Sequence, residues 1–556
     1  MNIGMVILAA YVVVLLGIAF YAWKRDQKNI KDFATGGGLG IFVLTLTFSA
    51  TYHSSYAFMG AGGFVFKNGV GWWVNGLWTV LPGVLFWIWG RRFWYLGKRY
   101  NYCSVADYAS DVYESHTVGI LVTAITMVFT IPYVAMQAIG CSYIFTTMSG
   151  GTLSYTVGAS VFMVVMIILV WMGGMKGVAI TDAAQGVFMW VGLVFGSLWV
   201  VLKNFPSVAD AFAAAYAECP ALFTLPGPQG VCTMQDWLSR WIVITFGMMM
   251  FPHITLRFFA GKNLRVLKWS AVFSSIYLTS IYIFTPAVSM AGRVLMPDLA
   301  VADTILPELL LKYTPVVFAS LIIAGALAAS MSTGDSQLHA VSTLISTDVY
   351  KKYINKDADD VKQYRVARAC VLIFGVISIV FALTKPAMIS DFLTLANGGV
   401  GSLVPAIIGG LYWKRATKAG AITSIVVGEA IMVLFTFVLK ITPLGFSAGL
   451  WAMAVSLVLF VAVSVVALLA TKPLVKKYLR PRIQATNADR CVGRTGVVLE
   501  DIDNLAATGQ VRVCGSVWSA RSTDGAPIAA GTTVVVDRIE GVKLMVRPAK
   551  APVGKV

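Results

Sequence analysis

The chain has 556 residues, 58% of them hydrophobic and only 12% charged, with a mean hydropathy of +0.77. A soluble globular protein carries about 25% charged residues, so a wholly soluble protein is excluded. Apolar runs of about 20 residues satisfy their backbones in lipid only as helices, which indicates an all-α polytopic membrane protein. The formal charge of +17 would suit a nucleic-acid partner, but the basic residues gather in alternate loops and that reading fails.

Apolar runs fall at 3–23, 41–66, 71–95, 118–147, 153–173, 179–203, 241–260, 269–292, 314–341, 365–384, 388–412, 417–439 and 449–470, about thirteen transmembrane helices in all. The first starts at Ile3 with no basic segment ahead of it and no small-residue cleavage site, so it reads as a retained helix. Loops after the odd-numbered spans carry Lys24, Arg25, Lys28 and Lys31, then Arg91, Arg92, Lys98 and Arg99, then Lys176. The series continues with Arg257, Lys262, Arg265 and Lys268, then Lys351, Lys352 and Lys356, then Lys414, Arg415 and Lys418. Cytoplasmic loops are the basic ones. The expectation is a multi-pass protein of the plasma (inner) membrane, N-terminus outside and C-terminus cytoplasmic, with anionic lipid of the bilayer as partner of the charge. No two of the seven cysteines are spaced as CxxC; Cys219 and Cys232 share an outer loop where a disulfide is open.

Two spans are interrupted by residues that suit a helix poorly. The second reads Ser49-Ala50-Thr51-Tyr52-His53-Ser54-Ser55 and ends in Gly60, Gly62 and Gly63; the seventh reads Met250-Phe251-Pro252-His253. They lie five spans apart, the layout of two five-helix halves, spans 2–6 and 7–11, repeated with inverted topology. Passive kinks are the plain alternative.

The ninth span carries Ala329, Ser332, Thr333 and Ser336 at i, i+3, i+4 and i+7, hence on one stripe, with Asp335 beside it. A carboxyl at mid-membrane costs roughly 2.5–3.5 kcal/mol, so it faces a partner or a wet cavity. Oxygen-rich and uncrowded surroundings suit a small hard cation such as Na⁺. Close helix packing through small residues accounts for the same stripe.

From Thr471 the composition changes. Lys472 to Arg482 is a basic juxtamembrane connector, and from about 491 short alternating strands follow: Val497-Val498-Leu499, Val511-Arg512-Val513-Cys514, Thr533-Val534-Val535-Val536 and Leu544-Met545-Val546. The pattern predicts a small cytosolic β-barrel of about 60 residues. The expected organisation is a transmembrane domain over 1–470, a linker over 471–490 and the barrel over 491–550.

Gly410-Leu411-Tyr412-Trp413-Lys414-Arg415-Ala416-Thr417-Lys418-Ala419-Gly420-Ala421, with Gly428 after it and Pro405 before it, resembles the second signature of the sodium:solute symporter family. Gly173-Gly174-Met175-Lys176-Gly177 through Gln185 resembles that family's entry to its sixth span, and Pro252-His253 with Arg257 and Ser332-Thr333-Gly334-Asp335-Ser336-Gln337 also match. The resemblance covers roughly residues 3 to 470. It implies the leucine-transporter-type 5+5 inverted-repeat fold and Na⁺-driven uptake by alternating access. Carried over by position, it implies a sodium site of the Ala50, His53 and Ala329 carbonyls with the Ser332 and Thr333 hydroxyls. Some members hold a second ion, which here falls on Asp182 and Ser336; Asp335 stands where those members carry a hydroxyl, so a second Na⁺ and a proton are both open. The tail, opened by Gly493-Arg494-Thr495-Gly496 and closed by Gly541-Val542-Lys543-Leu544-Met545-Val546, resembles the OB-like domain of the NfeD family. That implies an interaction with a membrane scaffold protein. Trp518 is its one aromatic, too few for single-strand stacking, so no nucleic acid is expected.

For the solute, Tyr52, Ser54 and Ser55 with His53 surround the first break, and Phe251 and His253 flank the second. Tyr133 and Gln137 lie one turn apart on span 4, and Thr394 and Asn397 on span 11 complete the set. Half-helix N-termini favour an anionic group, and two breaks each bearing a His fit a small organic carboxylate. The Ser-Thr-Gly-Asp-Ser-Gln run resembles monocarboxylate and pantothenate members; sugars, polyols and amino acids stay open. Tyr133 and Gln137 serve equally as interhelical glue, and His253 as a cap for backbone freed by Pro252. No G-x-S-x-G, HExxH or Walker A run occurs, so no enzyme is expected. The competing class is a transporter-derived sensor or scaffold signalling through the tail.

Overall fold

Apolar runs with no water to bond must close their own hydrogen bonds, and they do so here as long helices. The computed structural model describes residues 3–24, 38–72, 77–102, 104–384, 388–478 and 489–549. The side chains of 173–177 and 472–478 lie outside that description, as do residues 25–37 and 479–488, where most of the first basic loop and the end of the basic connector fall. The described chain divides into two compact units, Met1–Leu469 and Ala470–Val556.

In the first unit, nine helices among the described residues are long and apolar enough to cross a membrane, from Ile3–Tyr21 to Ala448–Thr471. Two bent pairs are apolar enough to make a further span each if taken together: Met234–Met248 with Pro252–Ala260 at 48°, and Ile389–Gly401 with Val404–Tyr412 at 45°. The second apolar run is in pieces: a helix over Ile41–Tyr52, a π-turn over Tyr56–Gly60 and a helix over Ala61–Asn68. The third run carries the helix Leu81–Tyr100.

The bend in the seventh span has a local cause. Pro252 has no N–H to give and stands in the first turn of Pro252–Ala260, the helix position that tolerates it. Close approach beside it depends on Gly247, where a Cβ would stand 2.4 Å from the Asn397 carbonyl oxygen. The ninth span, Val316–Leu344, is buried over nearly its whole length and packs along the fifth and sixth spans and along span 4.

The second unit is a closed five-stranded barrel. Its strands are β1 (Thr495–Asp503), β2 (Thr508–Val513), β3 (Ser516–Ser522), β4 (Thr533–Glu540) and β5 (Lys543–Pro548), in the order β1-β2-β3-β5-β4. Only β3 and β5 pair in parallel. Inward residues alternate, Val511 and Val513 on β2 and Val534 and Val536 on β4. The sequence pattern showed four strands; β3 escaped it because Ser516-Val517-Trp518-Ser519-Ala520-Arg521-Ser522 buries only Ala520 and Ser522. Cys219 and Cys232 are free thiols in this structure.

Candidate ion and solute site

The first break is made by side chains that take over backbone bonds. The helix ends at Tyr52, and His53 turns extended at φ −85° and ψ 111°. The Ser55 N–H then donates to Gln137 Oε1 at 3.0 Å, and the Tyr56 N–H to Ser54 Oγ at 3.2 Å. With the helix stopped, carbonyls around residues 50–53 turn to the ninth span. Ser332 Oγ lies 3.0 Å from the Ala50 carbonyl and 3.1 Å from that of Ala329. Thr333 Oγ1 lies 3.0 Å from the His53 carbonyl, 3.2 Å from that of Thr51 and 3.1 Å from that of Ala329. So Ala50, His53, Ala329, Ser332 and Thr333 meet, with the Thr51 carbonyl as an addition that sequence reasoning missed. Four carbonyls and two hydroxyls, all buried and none charged, form a cage of hard oxygens that suits a small monovalent cation.

A second cage sits beside the first, and it is charged. Asp182, on the sixth span, is fully buried with Arg257, which is 1% exposed. Arg257 was counted from sequence among the loop charges; the structure corrects that and places its guanidinium inside. Arg257 Nη2 lies 2.8 Å from Asp182 Oδ2, 2.8 Å from Ser336 Oγ, 2.9 Å from Thr47 Oγ1 and 2.5 Å from Thr51 Oγ1. Arg257 Nη1 donates to the His253 carbonyl. Thr47 Oγ1 also donates to Asp182 Oδ2 at 2.6 Å. Asp335 is buried nearby on the ninth span, with Oδ1 lacking a partner. Thr47 and Thr51 are one turn apart on span 2, a spacing visible in the sequence had it been paired with Arg257.

Around the second break the rings of Tyr133, Phe251 and His253 pack together, with centroids 5.0 Å apart for Tyr133–Phe251 and 5.5 Å for Tyr133–His253. The Tyr133 hydroxyl donates to Met248 Sδ at 3.2 Å, and Gln137 Nε2 donates to the Tyr133 carbonyl at 3.1 Å. The His53 ring lies 5.1 Å from that of Tyr282 and 5.7 Å from that of Tyr277, two aromatics not anticipated. Several buried polar atoms here have no partner: the Tyr52 hydroxyl, His53 Nε2, both ring nitrogens of His253 and Asn397 Oδ1. Orphaned buried donors and acceptors cost about 1–3 kcal/mol each, so their gathering at two helix breaks marks a place built to bind something polar. Ser55 Oγ is instead turned to the Met136 carbonyl. Thr394 is engaged elsewhere: it accepts from Arg240 Nη1 at 3.1 Å and donates to the Ser390 carbonyl, while Arg240 pairs with Asp236 at 2.8 Å. The bend in the eleventh span, between Gly401 and Val404, was also missed; Gly398, Gly399, Gly401 and Pro405 were its signal.

Known proteins bear on this geometry. A sodium/pantothenate symporter of Haemophilus influenzae is 28% identical over 453 residues, covering 78% of this chain and 91% of that protein. An osmoregulated proline transporter of Bacillus subtilis is 26% identical over 488 residues, covering 85% and 96%. Among solved structures, the substrate-bound outward-open state of a Na⁺-coupled sialic acid symporter shares the fold, with a TM-score of 0.72 at 19% identity over 84% of this chain and 98% of that one. A closed nucleobase-cation-symport-1 transporter shares it more loosely, with a TM-score of 0.52 at 11% identity over 82% and 96%. The NfeD-like C-terminal, partner-binding domain model matches residues 488–548. The sodium:solute symporter family model matches residues 33–428, and the chain belongs to that family.

Proposed function

We propose that this protein is a Na⁺-coupled symporter that imports a small organic carboxylate across the inner membrane by alternating access. The carrying observation is the meeting of Ser332 and Thr333 with the carbonyls freed at the span-2 break. Na⁺ held by Ala50, His53, Ala329, Ser332 and Thr333 ties the broken span to the ninth span, so its binding favours the arrangement in which the two touch. The solute lies against Tyr52, His53, Ser54, Tyr133, Gln137, Phe251, His253 and Asn397, and the unpartnered Tyr52 hydroxyl and the His53 and His253 ring nitrogens beside the helix breaks suit a carboxylate. The pantothenate relatives, whose named substrate bears one carboxylate, support that class. One Na⁺ carried with a monoanionic carboxylate moves no net charge, so the Na⁺ gradient drives the accumulation, about tenfold for each tenfold gradient. The barrel would dock a protein partner such as a membrane scaffold.

The test is uptake into proteoliposomes under an inward Na⁺ gradient, with labelled pantothenate, acetate, pyruvate, proline and glucose. A carboxylate is expected to accumulate, and Na⁺ stimulation to vanish in Ser332→Ala/Thr333→Ala. Binding without accumulation would replace this reading with that of a sensor working through its tail.

A further inference from the structure

The charged cage has a feature that hydrogen bonding alone does not explain. A guanidinium nitrogen such as Arg257 Nη2 carries two N–H groups, yet four oxygens from three different spans stand within 2.5–2.9 Å of it. The oxygens also crowd one another: Thr51 Oγ1 is 3.1 Å from Asp182 Oδ2 and 3.2 Å from Ser336 Oγ. That is how oxygens gather around a cation, with one full negative charge at Asp182 to balance one positive charge. For Asp182 the balance is met by the chain itself, with the Asp335 carboxyl buried nearby on the ninth span.

We infer that Arg257 is the resident cation of the Asp182–Thr47–Thr51–Ser336 cage, so that the protein binds one exchangeable Na⁺ per chain, in the neutral cage, and none at Asp182. This rests on the sodium site proposed above. A mobile Na⁺ at Asp182 would have to share a buried pocket with a fixed positive charge at contact distance, where repulsion is poorly screened. Thr51 links the two cages: its carbonyl is 3.2 Å from Thr333 Oγ1 in the neutral one, while its hydroxyl takes the Arg257 bond in the charged one. The fixed cation therefore holds the span-2 break in the shape the exchangeable ion needs. Arg257 acts as a positioning residue and sets the stoichiometry.

The experiment counts ²²Na⁺ bound to the purified full-length protein, which needs no solute. Wild type is expected to saturate at one Na⁺ per chain and Ser332→Ala/Thr333→Ala at none. Arg257→Gln is expected to gain a second Na⁺, Arg257→Lys to stay at one, and Arg257→Gln/Asp182→Asn to return to one, bound more weakly than in wild type because no cation then holds Thr51. Two Na⁺ on wild type, or a folded Arg257→Gln that still binds one, overturns the inference while leaving the neutral cage standing. No saturable Na⁺ on wild type removes both readings. Should Arg257→Gln fail to fold, the Ser332→Ala/Thr333→Ala protein decides. No remaining Na⁺ upholds the inference, and a residual ion that disappears on adding Asp182→Asn defeats it.

Discussion

The two oxygen cages share spans 2 and 9, lie side by side, and differ in charge. The neutral cage is built of carbonyls and hydroxyls, and the Ser332 and Thr333 hydroxyls lie 3.0–3.2 Å from those carbonyls, near enough to hydrogen-bond them. The cost of losing its ion is therefore small, which an exchangeable site needs. The charged cage has no such fallback. Taking the cation from Asp182 would strand a carboxylate in a medium that solvates it poorly, so a cation covalently tied to the chain suits it. Neutral oxygens make a site that cycles; a buried charge makes a lock.

The largest effect should come from breaking the lock on one side only. Removing one partner of a buried pair costs about 3–5 kcal/mol, because the other charge is left uncompensated. Arg257→Gln and Asp182→Asn, each alone, should lower the stability of the protein in detergent by that much in Na⁺-free buffer, read as a fall in its unfolding temperature. Arg257→Gln/Asp182→Asn should be milder than either. If both single variants unfold like wild type, the pair carries no such load and the contrast between the cages fails.

The neutral cage should lose function with little loss of stability. One oxygen ligand to a charge is worth about 1.5–3 kcal/mol, so Ser332→Ala should raise half-saturating Na⁺ roughly 10- to 100-fold. Thr333→Ala should do the same and Thr333→Ser should preserve binding. An unchanged Na⁺ dependence in Ser332→Ala would place the ion elsewhere.

Asp303 supplies an intermediate case, outside the crossings. It is 3% exposed, its Oδ2 accepts from the Ile389 N–H at 3.2 Å, and it abuts Gly63 in the second half of the broken span. Burial pushes its carboxyl up from 3.8 to about 6, with the Ile389 amide opposing and Asp391 adding to the rise. The folded value lies above the unfolded one, so the stability it lends is complete below about pH 4 and is lost as pH rises through about 6. The span of that change is on the order of 2–3 kcal/mol. Wild type should melt higher at pH 5 than at pH 7.5, and Asp303→Asn should flatten the difference. A wild type that melts lower at pH 5, with Asp303→Asn erasing that trend, would reverse the sign argued here.

Much of the neutral cage was legible beforehand because a helix converts spacing into a face. Ala329, Ser332, Thr333 and Ser336 had to share a stripe, and the Ser, Gly and Pro residues at 49–63 and 252 had to disturb two spans. The family resemblance supplied the pairing of that stripe with the span-2 carbonyls, which spacing alone does not give. Arg257 was misread because a basic residue after an apolar run is in most membrane proteins a loop charge. Its partner, Asp182, is 75 positions away, and only the folded arrangement of spans brings them together. The third bend went unseen because Gly398, Gly399 and Gly401 also read as close-packing residues, and β3 because its burial rests on two small side chains.

The smallest effect comes from the same pair of residue types at the same distance. Arg547 Nε is 2.8 Å from Asp537 Oδ1 in the barrel, as Arg257 Nη2 is from Asp182 Oδ2 in the membrane unit, but the barrel pair is 58% and 23% exposed. Water and salt screen it, and exposed pairs are worth about 0.2–1 kcal/mol. Arg547→Gln should shift chemical unfolding of the barrel by less than about 1 kcal/mol, and raising the salt should erase even that. A loss as large as that expected of Arg257→Gln would mean that distance, rather than burial, decides what an Arg–Asp pair is worth in this protein. The contrast between an exchangeable neutral cage and a charged locked one would then lose its physical basis.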